Sequence, residues 1–309
     1  MRPIAPTPLR LLVLAGLVAV FVAASPLEAQ MGGGGGSAPV SLYGPPDWMS
    51  GEIIVPTGVR ADGKGGAFFQ TDLWIRCQTL PTAATLYFHA ADAASASPAA
   101  SAPITLTQFV TYLPDIVSAT FGMAKASGNI RIVAANPVSA TARIYNNAGG
   151  GAFGLAMMGM PSGMSLQSMP MMGGSYGMDD FAMYMLGLLP EPGNRVNVAV
   201  VNTNSSTVNG VVEILEGDGS PPVGTGSASL SFTTQGYSSH QFNDVLANVH
   251  SKSGNDATLQ VRVRLNQGSS GMVMAYAVVN DNVTNDGYVV VGNMMNAGRG
   301  MGTGTMGRP

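Results

Sequence analysis

Leu259, Val261, Val263 and Leu265 alternate with Gln260, Arg262 and Arg264. That period of two is the pattern of a strand with one face buried and one wet. It constrains the fold because it recurs in short runs while helical periodicity is weak. Ile53–Val55, Phe68–Arg76, Thr82–His89, Ile130–Val133, Val138–Tyr145, Val196–Val201, Val211–Leu215, Met272–Val279 and Tyr288–Val291 all read as strands. Gly, Pro, Asn and Ser punctuate them, and Asn136-Pro137 is expected to be a turn between two strands. Only Leu113–Phe121 and Asp244–His250 suggest short helices. The expected fold is all-β, with antiparallel sandwiches.

The two halves of the chain look alike. Thr71-Asp72-Leu73-Trp74-Ile75 matches Val196-Asn197-Val198-Ala199-Val200, and Tyr112–Val117 matches Gln241–Leu246. Asn129–Tyr145 matches Thr258–Val278. A steady offset of this size is the mark of an internal duplication. The expected organisation is a signal peptide over 1–29, a Gly-rich spacer over 30–50, a first sandwich over 51–155, a Met/Gly-rich linker over 156–190, a second sandwich over 191–292, and a disordered tail over 293–309.

The start of the chain points to export. Arg2 and Arg10 precede the apolar run Leu11–Ala24, and Ser25–Ala29 offers a cleavage site after Ala29. The run is shorter than the ~20 residues a membrane span needs, so no span is expected after cleavage. Secretion or an envelope location follows. Charged residues are only 10% of the chain, so Ser, Thr, Asn and Gly must cover the surface, as in many exported β-proteins. The net charge of −3 without a basic block argues against nucleic acid as a partner. Cys77 is the single cysteine, so no internal disulfide can form. Alternation puts it on the Leu73/Ile75 face, and it is expected to be buried.

Together, Ile54-Val55-Pro56, Gly65-Gly66, Thr71-Asp72-Leu73, Asn136-Pro137-Val138, Tyr145-Asn146 and Gly151–Gly154 form an ordered set. Leu186-Gly187-Leu188, Arg195-Val196-Asn197, Val201-Asn202, Asn243-Asp244 and Asp281–Thr284 repeat it. In order and spacing the set resembles secreted bacterial proteins with paired immunoglobulin-like β-sandwich repeats. The resemblance covers about Ile53 to Gly292 and implies a fold and a compartment, with no activity attached. Two departures stand out. Cys77 occupies the place that Asn202 holds in the second half, and the stretch between the halves is rich in methionine.

Ten methionines lie between Met157 and Met185. Thioethers are soft ligands that select Cu(I), and the pairs Met157/Met160 and Met169/Met172 are spaced to converge on one ion. The same residues also serve as adaptable apolar filler or a contact surface. Asp281 and Asp286 bracket an oxygen-rich loop that could hold calcium, although the bidentate Glu of a calcium loop is missing. Asx turns account for these residues equally. His89, His240 and His250 stand outside any nucleophile motif, and no catalytic residues or cofactor are expected. Asp115 and Asp244 fill equivalent places and are expected to anchor the short helical pieces that follow.

The reading is therefore an exported, non-catalytic structural or interaction protein, with a protein or polysaccharide partner at the cell surface. The alternatives are an envelope Cu(I)-binding protein and an accessory carbohydrate-binding module. For the latter, Trp48, Trp74, Tyr87 and Phe88 are the candidate aromatics, each of which could equally be core.

Overall fold

The computed structural model describes residues 49–63, 66–146, 153–167, 181–188, 194–224, 226, 228–266, 268–281 and 287–296. The expected signal peptide, the expected Gly-rich spacer up to residue 48, and Trp48 lie outside them, while Ser50 at the end of that spacer already belongs to a strand. So do Met169, Met172, Asp286 and the end of the expected tail. The described residues are all-β, in antiparallel sheets, with one short helix and two short 3-10 turns. None of their helices is long and apolar enough to cross a membrane.

The first half contains β1 (Ser50–Asp62), β2 (Phe68–Cys77), β3 (Thr82–Ala90), β4 (Ala100–Leu106), β5 (Val110–Leu113), α1 (Ile116–Ala119), β6 (Ala126–Asn146), β7 (Phe153–Met158) and β8 (Met160–Pro161). They form one 8-stranded sheet that folds over itself. The strand β6 makes this possible. Its first part pairs with β1 and β3, and its second part with β2 and β7. The expected turn at Asn136-Pro137 is instead a bulge within this 21-residue strand. Ser50 opposes Val138 while Glu52 opposes Val133, so the extra residues of β6 bow out there. Proline lacks an N–H for the ladder, and a bulge is where a strand tolerates it.

The second half begins after β9 (Leu166–Gln167). It contains β10 (Phe181–Met185), β11 (Asn194–Asn202), β12 (Val208–Leu215), β13 (Val223–Gly224), β14 (Ser229–Thr234), β15 (Ser239–Phe242), β16 (Val249–His250), β17 (Gln260–Leu265), β18 (Met272–Asp281), β19 (Gly287–Val291) and β20 (Asn293–Asn296). One sheet runs β14-β12-β17-β10-β20 and the other β15-β11-β18-β19. Val198, Val200, Val212, Ile214, Val261, Val263, Ala275 and Ala277 belong to the core they enclose. Described parts of the expected linker and tail are strands here. β8 pairs with β1, β9 with β18, and β10 with both β17 and β20.

Pairing registers correspond between the halves. Trp74 opposes Thr141 and Tyr112, and Ala199 opposes Tyr276 and Gln241. Cys77 opposes Val138, and Asn202 opposes Val273. Ile54 opposes Arg131 and Met160, and Tyr184 opposes Arg262 and Asn293. Cys77 is buried, as expected, and burial raises its thiol pKa. Asn202 uses its buried amide to donate to the carbonyls of Ser206, Thr234 and Gln235, tying two turns together.

The halves pack on each other within one compact unit. On β11, Val198 and Val200 face the second core, while Ala199 and Val201 join the first. On β18, Val273 and Ala275 face the second core, while Met274 and Tyr276 join the first. The sheet is thus covered on both faces. Across from it lies the Ile54 side of β1, which Arg131 shares by register, and Ile54 is wholly buried. Full burial of a side chain such as Ile54 or Met274 is worth about 1.5–3 kcal/mol. Tyr276 hydrogen-bonds Thr57 across the seam, and burial pushes its phenol up to about 12.

The flank of the seam is polar. Asn129 donates to the Tyr237 carbonyl at 2.7 Å, and Arg131 lies 4.2 Å over the Tyr237 ring while pairing with Glu52. The backbone of Asp92 donates to Ser239, and Ser238 donates to the Ala90 carbonyl. The His89 ring lies 5.1 Å from the Tyr237 ring at a tilt of 35°, with only 2% of its surface exposed, and its Nε2 finds no partner among the described residues. Burial, helped by the charge of Arg131, lowers its pKa from 6.5 to about 4.

That shift sets a pH dependence. The unfolded chain takes up the proton first as pH falls, so the stability carried by neutral His89 is complete above about 6.5 and lost towards 4. The loss amounts to roughly 3 kcal/mol. Urea unfolding between pH 7.5 and 4 should show His89→Gln losing less stability than the parent by about that amount.

Candidate functional site

Alternation along β2 sends Leu73, Ile75 and Cys77 inward and Gln70, Asp72, Trp74 and Arg76 to the opposite face. Alternation along the second part of β6 does the same for Ser139, Thr141, Arg143 and Tyr145. With β5 and β7 on either side, these residues make one outward face.

Asp72 organises it. Its carboxylate is buried and accepts from the Tyr112 hydroxyl at 3.0 Å, the Tyr145 hydroxyl at 3.4 Å and the Asp115 backbone N–H at 2.9 Å. Donating to a carboxylate favours the neutral phenol, so the hydrogen bond to Asp72 raises the pKa of Tyr112. Tyr145 is raised mainly by burial, with Asp72 adding to it. Asp115 has a left-handed backbone, φ 38°, and its side chain makes no cap to α1. Its carboxylate turns away to Arg60 at 2.9 Å and Gln70 at 3.2 Å, so the expected side-chain anchoring of the helix is replaced by an ion pair. Asp244 repeats the strained backbone at φ 49°, with its N–H donated to Asn197. Asn197 stands in the register place of Asp72.

Trp74 and Tyr112 stack with centroids 4.9 Å apart. Tyr112 is 49% exposed, and Phe109, Val110 and Met158 are exposed beside it. Arg76 and Arg143 are also exposed, Arg143 lying 4.9 Å over the Tyr145 ring. The face is therefore aromatic and cationic, and its one carboxylate on β2 is occupied by hydroxyls beneath it. Of the aromatics picked out in the sequence, Trp74 lies on this face and Phe88 is core. Tyr87 is half-buried under Arg131. The alternation Gln70-x-Asp72-x-Trp74-x-Arg76 marks Arg76 as part of this face, whereas Tyr112 and Arg143 reach it only through strand pairing.

The remaining sequence candidates fall elsewhere. Met157 opposes Ala142 and is buried in the first core, whereas Met160 opposes Ile54 and is partly buried. Asp281 ends β18 opposite Asn194. Among the described residues no group of three or more His, Cys, Asp or Glu could hold a metal ion. The histidines are dispersed: His240 pairs with Asp92 and His250 with Asp256, while Ser251 beside it donates to Glu216.

The chain matches no family model, no curated protein and no solved structure.

A spectrophotometric titration tests the Asp72 node. Tyr112 should ionise above the ordinary tyrosine range, and Asp72→Asn should bring it down by removing the neighbouring charge.

Proposed function

We propose that this chain is an exported, non-catalytic interaction protein, formed of two immunoglobulin-like sandwiches from an internal duplication and acting at the cell surface or envelope. The observation that carries this reading is a contrast between equivalent faces. In the second half, the face bearing Ala199, Val201, Met274 and Tyr276 is apolar and covered by the first half. In the first half, the same register positions hold Trp74, Arg76, Ser139 and Thr141, and that face is open. A sheet position able to carry a packing surface instead carries aromatic and charged side chains, the residue types that anchor interfaces. The leader-like run Leu11–Ala24 supports export.

A polysaccharide partner is the second reading, and the Trp74–Tyr112 stack favours it. Stacked rings with alternating Gln70, Thr141 and Ser139 offer both apolar planes and hydroxyl partners.

Fractionating the host and cross-linking the mature protein in place tests the main reading. Recovery in the envelope or matrix, joined to a defined neighbour, is expected, and Trp74→Ala should weaken that capture about tenfold, a loss typical of an interface anchor. A freely soluble protein with no neighbour would overturn it. Retention on an insoluble polysaccharide, lost in Trp74→Ala with unchanged thermal stability, would select the second reading.

A further inference from the structure

A cleft of about 560 Å³ opens where the β1–β2 end of the first half meets β11 and the turn after β15. That volume lies within the usual range for small-ligand sites, ~300–1,000 Å³. Its walls include Val59, Asp62 and Phe69 from the first half, and Arg195, Asn197 and Asp244 from the second. The cleft thus exists only because the halves are docked.

Arg195 is the telling residue. Its Nε is buried and has no hydrogen-bond partner among the described residues. That atom is shut away from the cleft, so it is the rest of this half-buried side chain that lines the opening, and it forms no ion pair among the described residues. The charges around it narrow the occupant down. Asp62 already pairs with Lys125. Asp244 has no ion pair among the described residues, and its Oδ1 is held 3.4 Å from the Val196 N–H, one residue from Arg195. A cation, Arg195, and an exposed carboxylate, Asp244, therefore line the same cleft without pairing with each other. Their complement is a ligand that carries both signs close together. A phosphate suits the guanidinium but would meet Asp62 and Asp244 with like charge. A carboxylate matches the guanidinium fork and brings less negative charge towards them. An adjacent ammonium then answers Asp244. The apolar wall of Phe69 and Val59 fits an aliphatic or aromatic side chain.

We propose that this cleft binds a free α-amino acid with an apolar side chain, its carboxylate on Arg195, its ammonium on Asp244 and its side chain against Phe69. The site is separate from the open face of the first half and does not depend on what that face binds.

Isothermal titration of the mature protein with L-leucine and L-phenylalanine tests this. Saturable binding is expected, weakened at least tenfold in Arg195→Gln and in Asp244→Asn, which keeps the acceptor for Val196. Glycine should bind more weakly for want of a side chain. N-acetyl-L-leucine lacks the ammonium and 3-methylbutylamine lacks the carboxylate, so both should fail on the unmutated protein. These analogues keep the test independent of whether a variant folds. No heat with either amino acid at millimolar concentration would overturn the proposal. So would equal binding of N-acetyl-L-leucine, or tighter binding of a hexuronate.

Discussion

Burial of one sheet on both faces is the constraint on which the rest depends. The strands β11 and β18 carry apolar side chains on consecutive positions, Val198-Ala199-Val200-Val201 and Val273-Met274-Ala275-Tyr276-Ala277, all essentially excluded from water. One set closes the second core and the other closes the outside of β1. A strand with a single wet face would alternate, as β17 does with Arg262 and Arg264 on its polar side. The small side chains at Ala199, Ala275 and Ala277 allow the layers to approach, while Met274 and Tyr276 fill what space remains. The seam that results fixes the relative placement of every loop around it, including the Arg195 cleft.

The seam combines an apolar centre with a polar margin. Its centre is Ile54, Val201, Met274 and Tyr276. Its margin is Asn129, Arg131, His89 and Tyr237, joined by directed hydrogen bonds and ring contacts. Apolar contact supplies most of the adhesion, being roughly proportional to area and indifferent to direction. The polar margin selects one orientation, since sliding would take the Tyr237 carbonyl from Asn129 and the Tyr237 ring from Arg131. The unpartnered Nε2 of His89 shows that this selection carries a cost even in the native state.

Much of the strand pattern was readable in the residues. Alternation located Phe68–Arg76 and Leu259–Leu265, and it placed Cys77 inside with Leu73 and Ile75. The same alternation implied that Trp74 faces outward. Asn136-Pro137 misled because turn chemistry and bulge chemistry use the same residues, and only the pairing partner distinguishes them. The 156–190 stretch resisted reading for a different reason. Methionine and glycine carry weak strand preference, so β7 to β10 are held by their neighbours rather than by propensity. The face around Asp72 was half legible, because Trp74 is conspicuous and the hydroxyls of Tyr112 and Tyr145 converge only through the fold. The Arg195 cleft was out of reach, since its walls come from segments more than a hundred residues apart.

Doubly covered strands also impose an order on assembly. Ile54 and its neighbours belong to a half that is synthesised first, yet the residues that cover them, Val201, Met274 and Tyr276, arrive last. Until then the first half presents an apolar patch to water, a liability for any chain that folds from its N-terminus. Completion of β18 buries that patch and closes the second core in one event. The molecule therefore has no natural point at which it can be cut into two self-sufficient pieces, and its halves gain or lose structure together.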